Sequence, residues 1–258
     1  MLLLSTFAPV IRLRLLLLHS ADSAGDSFKY GVKRVPMHSG RPYHHGKLKQ
    51  ALVDAAIALV AEVGTHGFTL REVARRAGVS HNAPYRHFRD RSELLAVVAM
   101  QGFQRLTASM KRSAAHGSDA GEQLRFCGRG YVNFALRWPE HFIVMFDLPS
   151  RQESYPEYQA AGREAFDTLL GYVVQAREAG ILPSGDPQQQ ALASWSLVHG
   201  IAKLAISQHL PLSRAVIPAF TDQVTSTLLS GFICAREGSG FEVQSSGFQA
   251  GALARKTR

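Results

Sequence analysis

The amino-acid sequence predicts an all-α fold, and three observations support that prediction. Apolar residues recur at three- and four-residue spacing through most of the chain, as they do on one face of a helix. Glycine, proline and helix-capping residues separate these periodic segments. No segment shows sustained alternation of polar and apolar residues with β-branched enrichment, so the sequence predicts no sheet. We therefore expect an amino-terminal three-helix domain with a helix-turn-helix, followed by a larger helical domain.

The first element is a helix over Lys47–Gly64, because its apolar residues form one continuous stripe from Leu48 to Val63. Gly64 is a natural stop for this helix. A short second helix follows, since Thr69 and Glu72 have the spacing of a capping box, in which a hydroxyl and a carboxylate bond to each other's backbone N–H.

Gly78 is expected to end the second helix. Ser80 then caps a third helix that has Pro84 in its first turn, where the missing N–H does least harm. Two short helices joined through a glycine-containing turn form a helix-turn-helix. The sequence from Asp90 repeats the pattern of a capping residue with a carboxylate three positions on, and it predicts a long helix that reaches about Ala115.

Residues 119–236 are expected to be helical as well, with prolines between the periodic segments. These segments are Leu124–Leu136, Phe142–Phe146, Phe166–Val174, Ala191–Ile206 and Phe220–Ile233. We divide the chain into a disordered leader (1–40), the helix-turn-helix domain (41–106), a second helical domain (107–236) and a disordered, Gly/Ser-rich tail (237–258).

The 258-residue chain carries a formal charge of +9, which is unevenly distributed. Residues 41–91 have a net charge of +5, whereas residues 92–235 have a net charge of −1. Concentrated positive charge indicates a polyanionic partner, either nucleic acid or an acidic membrane surface. The two cysteines cannot form a disulfide framework and lack the CxxC spacing of zinc and redox sites.

The apolar leader resembles a signal peptide or a membrane anchor, but Arg12 and Arg14 interrupt its apolar run. A charge inside the run is unfavourable for both functions. We expect the native protein to start at Met37. A mitochondrial-type presequence and a membrane-surface anchor in residues 1–18 remain as alternatives.

The helix-turn-helix is the strongest functional signal in the sequence. In such a motif the second helix enters the major groove of DNA, and its first residues reach the base edges. Ser80, His81 and Asn82 are therefore the candidates for reading bases, and an asparagine can pair with adenine through two hydrogen bonds. Tyr85, Arg86, His87 and Arg91, further along the chain, are expected to contact phosphates. Lys47 and Arg71 are further candidates for DNA contact, and the basic arm Arg41–Lys49 is expected to add phosphate or minor-groove contacts. Arg75 and Arg76 could simply be solvated, and His44-His45 is an electrostatic contact in the arm rather than a metal site.

The segment AGVSHNAPYRHFRDRSELL resembles the DNA-binding region of the TetR family of bacterial transcriptional regulators. The resemblance covers about residues Lys47–Leu106. It implies phosphate contacts at Thr69, Tyr85, His87 and Arg91. The sequence departs from the family pattern at His81-Asn82-Ala83, where a pair of small residues is usual, and at Pro84, where leucine is typical.

The carboxy-terminal half resembles one branch of the same family through short motifs such as Gly185-Asp186-Pro187 and Trp195…His199-Gly200. The resemblance implies an all-helical domain that binds a small ligand in a cavity. The candidate ligand contacts are Phe126, Tyr131, Trp138, Phe142, Met145, Tyr172, Trp195 and His199. Aromatic residues at helical spacing also occur in ordinary cores, and His199 is read either as a ligand contact or as a satisfied core or interface histidine.

The resemblance also implies a homodimer that pairs through the last two long helices, about Gln188–Gln208 and Ile217–Arg236. Small and apolar residues on these helices fit close packing, although they could equally form the core of one subunit; they are Ala191, Ala193, Ala202, Ala205, Leu228, Leu229 and Phe232.

The sequence thus predicts a cytoplasmic, ligand-responsive homodimeric repressor that binds double-stranded DNA at a palindromic operator. No enzyme motif is present, and we expect neither a cofactor, a metal nor a membrane partner. The alternative is an all-helical ligand-binding protein or enzyme whose helix-turn-helix is incidental.

Overall fold

The computed structural model describes residues 45–148 and 155–234, and their side chains over 47–148 and 155–231. All regular structure in these two ranges is helical, which confirms the all-α prediction. The helices are α1 (His45–Val63), α2 (Leu70–Arg76), α3 (Arg91–Ala114), α4 (Ala120–Arg137), α5 (Pro139–Asp147), α6 (Pro156–Glu178), α7 (Pro187–Ile206) and α8 (Ile217–Cys234), with a 3-10 turn at Pro84–Arg86 between α2 and α3. The expected leader and tail lie outside the described residues.

Local signals in the sequence set most of the helix boundaries. The Thr69 hydroxyl accepts a hydrogen bond from the Glu72 N–H, and the Glu72 carboxylate accepts one from the Thr69 N–H, which completes the predicted capping box. Asp90, Asp119 and Asp186 cap α3, α4 and α7 with their carboxylates, which accept from the N–H groups of Glu93, Glu122 and Gln188. Prolines begin α5, α6 and α7, because the first helical residue has no N–H bond to lose.

Helix α1 begins at His45, two residues earlier than predicted, so it also includes His45 and Gly46 of the expected basic arm. Gly64 ends the helix with a φ of +76°, in the left-handed region that a glycine enters without strain. Most of the predicted apolar stripe is buried, but Val63 at its end is 51% exposed.

The predicted third helix is present only as the short 3-10 turn at Pro84–Arg86, and the cap expected at Ser80 is wrong, because the chain first turns through Ser80–Asn82. Pro84 explains the difference. It has no N–H to give to the Ser80 carbonyl, and a proline ring inside an α-helix clashes with the carbonyl four residues earlier. The Ser80 carbonyl instead accepts from the Ala83 N–H at 2.9 Å, and no side chain caps the turn.

Helix α3 connects the amino-terminal helices to the carboxy-terminal bundle. It has 24 residues and packs against α1, α4, α5 and α6. The boundary that the sequence suggests between residues 106 and 107 lies within this helix, so the two halves share one continuous element. A single buried core accordingly runs from Leu52 in α1 to Ile201 in α7.

Helices α4 to α8 form the carboxy-terminal bundle, with α4 in contact with α3, α5, α6, α7 and α8. A two-pronged ion pair joins the Arg129 guanidinium on α4 to the Asp222 carboxylate on α8. Ala191 and Ala202 are fully buried within the subunit, so these two of the small residues expected at a dimer interface belong to its own core. None of the helices in residues 45–148 and 155–234 has the length and apolar character needed to cross a membrane.

Gly130 allows α4 to pack closely against α3. A Cβ at this position would lie 2.6 Å from the Ser109 carbonyl oxygen and 2.9 Å from the Met110 Cα, both backbone atoms that cannot move independently. We expect Gly130→Ala to lower the free energy of unfolding by about 1–3 kcal/mol, because the two helices must separate to admit the methyl group.

Gly171→Ala is the matched control, since nothing lies within 4 Å of a Cβ on this helical glycine. This substitution should stabilise the protein by about 0.5–1 kcal/mol through the helix preference of alanine. Urea unfolding at one protein concentration measures both variants. Equal effects of the two substitutions would contradict the close approach of α3 and α4.

Candidate nucleic-acid interface and ligand site

The residues expected to touch DNA come from the start of α1, from α2 and its cap, from the 3-10 turn and the segment before it, and from the start of α3. Eight of these ten side chains are exposed, and His87 and Arg91 are partly buried. The exposed set is Lys47, Thr69, Arg71, Ser80, His81, Asn82, Tyr85 and Arg86. Tyr85 is 53% exposed, which is high for an aromatic side chain and argues against a core role.

Buried residues alternate with the exposed ones and fix the 3-10 turn to the core. Pro84 and Phe88 are buried on either side of Tyr85 and Arg86, and Phe88 is only 2% exposed. The Lys49 ammonium lies 5.9 Å from the centre of the Phe88 ring and so links α1 to the turn. Tyr85 and Arg86 are therefore held outward by their neighbours in the sequence.

The start of α2 is rigidly capped. The Thr69 hydroxyl donates to the Glu72 carboxylate at 3.0 Å in addition to the two backbone bonds of the capping box. These hydrogen bonds, first from the Thr69 backbone and then from its hydroxyl, lower the pKa of Glu72. The cap orients the exposed residues Thr69 and Arg71 beside the positive end of the helix dipole.

Arg91 begins α3, with its guanidinium 5.9 Å from the centre of the Phe68 ring and its Nη2 atom 3.5 Å from the His66 Nδ1. It forms no carboxylate ion pair among the described residues. Arg76 differs, because its guanidinium pairs with the Glu62 carboxylate on α1. Arg76 is therefore engaged in joining α2 to α1.

Three of the predicted ligand residues form a hydrogen-bonded chain inside the carboxy-terminal bundle. The Trp195 Nε1–H lies 3.2 Å from the Tyr131 hydroxyl oxygen, and that oxygen lies 2.8 Å from the Nδ1 of His199. The rings of Phe142, Phe146 and Phe166 surround the chain at centroid distances of 4.5–6.4 Å. We call these six residues the aromatic cluster.

The aromatic cluster is partly open. Tyr131 and Phe142 are buried, whereas Phe146, Phe166, Trp195 and His199 are each partly exposed. Burial lowers the pKa of His199, and the positive charge of Lys203 lowers it further. Burial raises the pKa of Tyr131, so its phenol remains protonated.

The structure does not bring the remaining predicted ligand residues into this cluster. Trp138 stacks on Phe134 and on the guanidinium groups of Arg105 and Arg137. Phe126 lies beneath Arg125 and Arg129.

Met145 and Tyr172 also lie outside the aromatic cluster. Met145 packs towards Gly102 of α3, and Tyr172 is partly buried on α6. Phe146 and Phe166 were missed, although Phe146 is four residues after Phe142 and so lies on the same helical face.

A separate small apolar pocket lies between α4, α6, α7 and α8. Leu124, Leu169, Val198 and Leu228 are among the residues that line it, and none of the eight expected ligand contacts is among them. In the described part of the chain no group of three or more His, Cys, Asp or Glu side chains is arranged to hold a metal ion.

Helix α5 lies between the aromatic cluster and the amino-terminal helices. Phe142 and Phe146 contact the cluster, whereas Met145 faces α3. At the end of α5 the Asp147 carboxylate accepts a hydrogen bond at 3.0 Å from the hydroxyl of Thr65, which follows α1. One short helix thus contacts both halves of the protein.

His141 on α5 is buried beside α3, and neither of its ring nitrogens has a hydrogen-bond partner in the described residues. Burial lowers the pKa of His141 to about 4, and the positive charge of Arg105 lowers it further, while Asp54 on α1 acts in the opposite direction. The imidazole is therefore neutral at physiological pH.

Two family models match the sequence in successive parts. The model described as "Bacterial regulatory proteins, tetR family" matches residues 52–98. The model described as "Tetracyclin repressor-like, C-terminal domain" matches residues 124–228. The first match contains α2, the turn and the start of α3, and the second contains most of α4 to α8.

Individual proteins are similar to this chain either over a short segment or over most of its length. The HTH-type transcriptional regulator BetI of Serratia proteamaculans is 47% identical over 47 residues, which is 18% of this chain and only 24% of that protein's length. A protein with unknown function from Rhodococcus sp. RHA1 is 33% identical, with a TM-score of 0.65 over 75% of this chain and 99% of that one. The structure of AibR in complex with isovaleryl coenzyme A and operator DNA is 19% identical, with a TM-score of 0.56 over 70% of this chain and 97% of that one. At that identity the likeness to AibR is one of fold.

The depressed pKa of His141 predicts a loss of stability in mild acid. Below its usual pKa of about 6.5, His141 takes up a proton in the unfolded chain but not in the folded one, so stability falls as pH falls from about 6.5 towards 4. His141→Gln carries no titrating group, and the drop in unfolding free energy from pH 7 to pH 5 should therefore be smaller by about 1–2 kcal/mol.

Chemical denaturation at several pH values measures this difference, and His116→Gln at an exposed position is the control. The control should keep the pH dependence of the parent. Parallel curves for the parent and His141→Gln would show that His141 is not buried as a neutral group.

Proposed function

Because the chain belongs to the TetR family of bacterial transcriptional regulators, we propose that it is a ligand-responsive homodimeric repressor that binds a palindromic operator. Its partners are then double-stranded DNA in the cytoplasm and a small-molecule effector, and it acts as a regulator rather than as an enzyme. The observation that supports this function best is the set of exposed side chains at Ser80–Asn82 and Tyr85–Arg86, which the buried residues Pro84 and Phe88 anchor to the core.

Different residues on this surface have different roles on DNA. Ser80, His81 and Asn82 precede the turn and reach the base edges in the major groove, where Asn82 pairs with adenine. Tyr85, Arg86, His87 and Arg91 contact phosphates together with Lys47, Thr69 and Arg71. The net charge of +5 over residues 41–91 supplies a general attraction that does not depend on sequence.

The effector binds at the aromatic cluster, and α5 transmits the effect of binding towards α3 and the amino-terminal helices. A ligand that moves Phe142 or Phe146 must also move the opposite face of α5, which packs on α3 and is tied to Thr65. A coupling free energy of about 1–3 kcal/mol is enough to change operator affinity 5–150-fold. The combined ligand and operator complex of AibR supports this pairing of two sites on a shared fold.

The homodimer forms through α7 and α8. Two large apolar side chains on α7, Leu192 and Leu204, are 47% and 46% exposed, and Val216 just before α8 is 48% exposed. Exposed apolar side chains at helix faces are typical of interfaces. A two-fold dimer would present its two reading elements about 34–36 Å apart, one turn of DNA.

Substitutions on the DNA surface should separate general from sequence-specific binding. Tyr85→Phe and Arg91→Ala should weaken binding to operator and unrelated DNA alike, and Arg91→Ala should reduce the salt dependence by about one phosphate contact. Asn82→Ala should instead lose about 1–3 kcal/mol on the operator alone and relax the preference at one base pair. Gel shifts on a site selected from random DNA, repeated across salt concentrations, measure both effects.

Arg163→Ala removes an exposed arginine on α6 and serves as the control, with binding expected to equal that of the parent. Equal losses on operator and unrelated DNA for Asn82→Ala would reject its base-reading role. Salt-independent binding without sequence preference would favour the alternative of a ligand-binding protein or enzyme with an incidental helix-turn-helix.

The dimer is tested by placing charge on its expected surface. Leu192→Asp combined with Leu204→Asp should shift the protein to monomers, because two carboxylates per subunit would be buried without partners. Analytical ultracentrifugation measures the shift. Val63→Asp changes an equally exposed apolar residue at the end of α1 and should leave the dimer intact. A stable dimer in the α7 double variant would reject this interface.

A further inference from the structure

We propose that the aromatic cluster selects an uncharged, largely apolar effector with one hydrogen-bond acceptor, such as a ketone, ester or amide carbonyl, and that the Nε2–H of His199 is the donor to it. This inference rests on the proposed function, which makes the cluster the effector site.

The first hydrogen bond has one possible direction. An indole nitrogen only donates, so the Trp195 Nε1–H, at 3.2 Å, must donate to the Tyr131 hydroxyl oxygen. The Tyr131 oxygen acts as an acceptor there and keeps its own proton, because burial raises the pKa of the phenol. That proton is then available for a second partner.

The second hydrogen bond points to one tautomer of His199. The Tyr131 oxygen has two lone pairs and could accept twice, but its own proton also needs an acceptor, and among its hydrogen bonds in the described residues the Nδ1 of His199 at 2.8 Å is the one that offers it. We therefore assign Nδ1 as the acceptor nitrogen. In a neutral imidazole the hydrogen then resides on Nε2. Among the described residues Nε2 has no hydrogen-bond partner, so the chain ends in one unused N–H donor.

Protonation of His199 would reverse this chain. An imidazolium donates from both nitrogens, so the Tyr131 hydroxyl would have to turn its proton away from Nδ1 towards the surrounding rings, such as Phe142 at 6.1 Å between centroids. Burial and the charge of Lys203 both lower the pKa of His199 and favour the neutral form. The hydrogen-bond geometry and the local electrostatics therefore agree.

The surroundings of His199 disfavour charged ligands. Its ring is packed against Phe142, Phe146 and Trp195, with centroids 5.2, 4.5 and 5.7 Å away. A carboxylate buried there would have one neutral donor, fewer than a desolvated anion needs, because the Lys203 ammonium is exposed and its attraction is screened by solvent. An ammonium group would find ring faces but no acidic side chain in the cluster to pair with.

The tautomer is tested without any ligand. Long-range proton–nitrogen correlation spectra of the full chain, labelled with ¹⁵N-histidine, should show His199 at pH 7.5 with a bare Nδ1 and a protonated Nε2. His199→Phe assigns the signal. Tyr131→Phe should remove the hydrogen bond from the hydroxyl to Nδ1, so that His199 comes closer to a mixture of its two neutral tautomers. A protonated Nδ1 in the parent protein would overturn the proposal.

The ligand class is tested with three probes that share a phenyl group on a three-carbon chain: 4-phenylbutan-2-one, 3-phenylpropanoate and 3-phenylpropylammonium. Trp138→Phe leaves Trp195 as the single tryptophan, so its fluorescence reports binding in the cluster. We expect saturable quenching by the ketone, with at least roughly tenfold weaker binding of either charged probe. Absence of quenching by the ketone, or equal or tighter binding of a charged probe, overturns the proposal.

His199→Phe keeps the ring and removes the donor, and it should weaken ketone binding about 5–10-fold, the value of one hydrogen bond. His116→Phe changes an exposed residue that follows the end of α3, and this control should bind the ketone as the parent does. Unchanged ketone affinity in His199→Phe overturns the donor role.

Gel shifts on the same samples separate this inference from the proposed function. Ketone binding with the expected selectivity but no sequence-specific DNA binding would reject the repressor and leave the ligand preference standing. Specific DNA binding together with tighter binding of a charged probe would reject the ligand preference and leave the repressor standing.

Discussion

The close packing of α3 against its neighbours is the constraint on which the rest of the structure depends. Its 24 residues begin at the Asp90 cap beside the DNA surface and end within the carboxy-terminal bundle. Two glycines, Gly102 on α3 and Gly130 on α4, leave room for Met145 and for the α3 backbone. Because packed helices have little free volume, neither half can shift without moving this shared helix.

The two proposed functional regions are built on opposite physical principles. The proposed DNA surface consists of exposed polar side chains on a backbone that caps and buried residues hold rigid, so its chemistry is presented to the solvent. The aromatic cluster is partly enclosed by rings, and the polar atoms of Tyr131 and Trp195 and the Nδ1 of His199 bond to one another, which leaves the Nε2 of His199 unused within the described residues. Helix α5 joins the two because it is short, apolar on both faces and tied at its end by Thr65.

Sequence reasoning succeeded where structure is decided locally. The caps at Thr69 and Asp90, the stop at Gly64 and the proline-initiated helices follow from hydrogen bonds between residues a few positions apart, so the all-α fold could be read from the sequence. The 3-10 turn differs from the longer helix that the sequence pattern predicts from Ser80. The ring and the missing N–H of Pro84 prevent that longer helix.

Sequence reasoning was weaker wherever the outcome depends on how helices rotate against each other. Tyr131, Trp195 and His199 were placed among the ligand candidates, but their hydrogen-bonded chain joins α4 to α7 and no spacing in the sequence encodes it. Trp138 and Phe126 are aromatic like the residues of the cluster, but their orientation directs them towards arginine side chains instead. The burial of His141 without a hydrogen-bond partner likewise depends on how α5 packs against α1 and α3.

The short 3-10 turn has an evolutionary consequence. Its anchors, Pro84 and Phe88, are buried, whereas the three side chains before it, Ser80, His81 and Asn82, are exposed and contribute little to the core. Exchanges at exposed positions usually change stability by less than about 0.5 kcal/mol. Gene duplicates of such a protein can therefore diverge in the sites they recognise through a few surface exchanges, while the inherited scaffold and its response to a ligand remain unchanged.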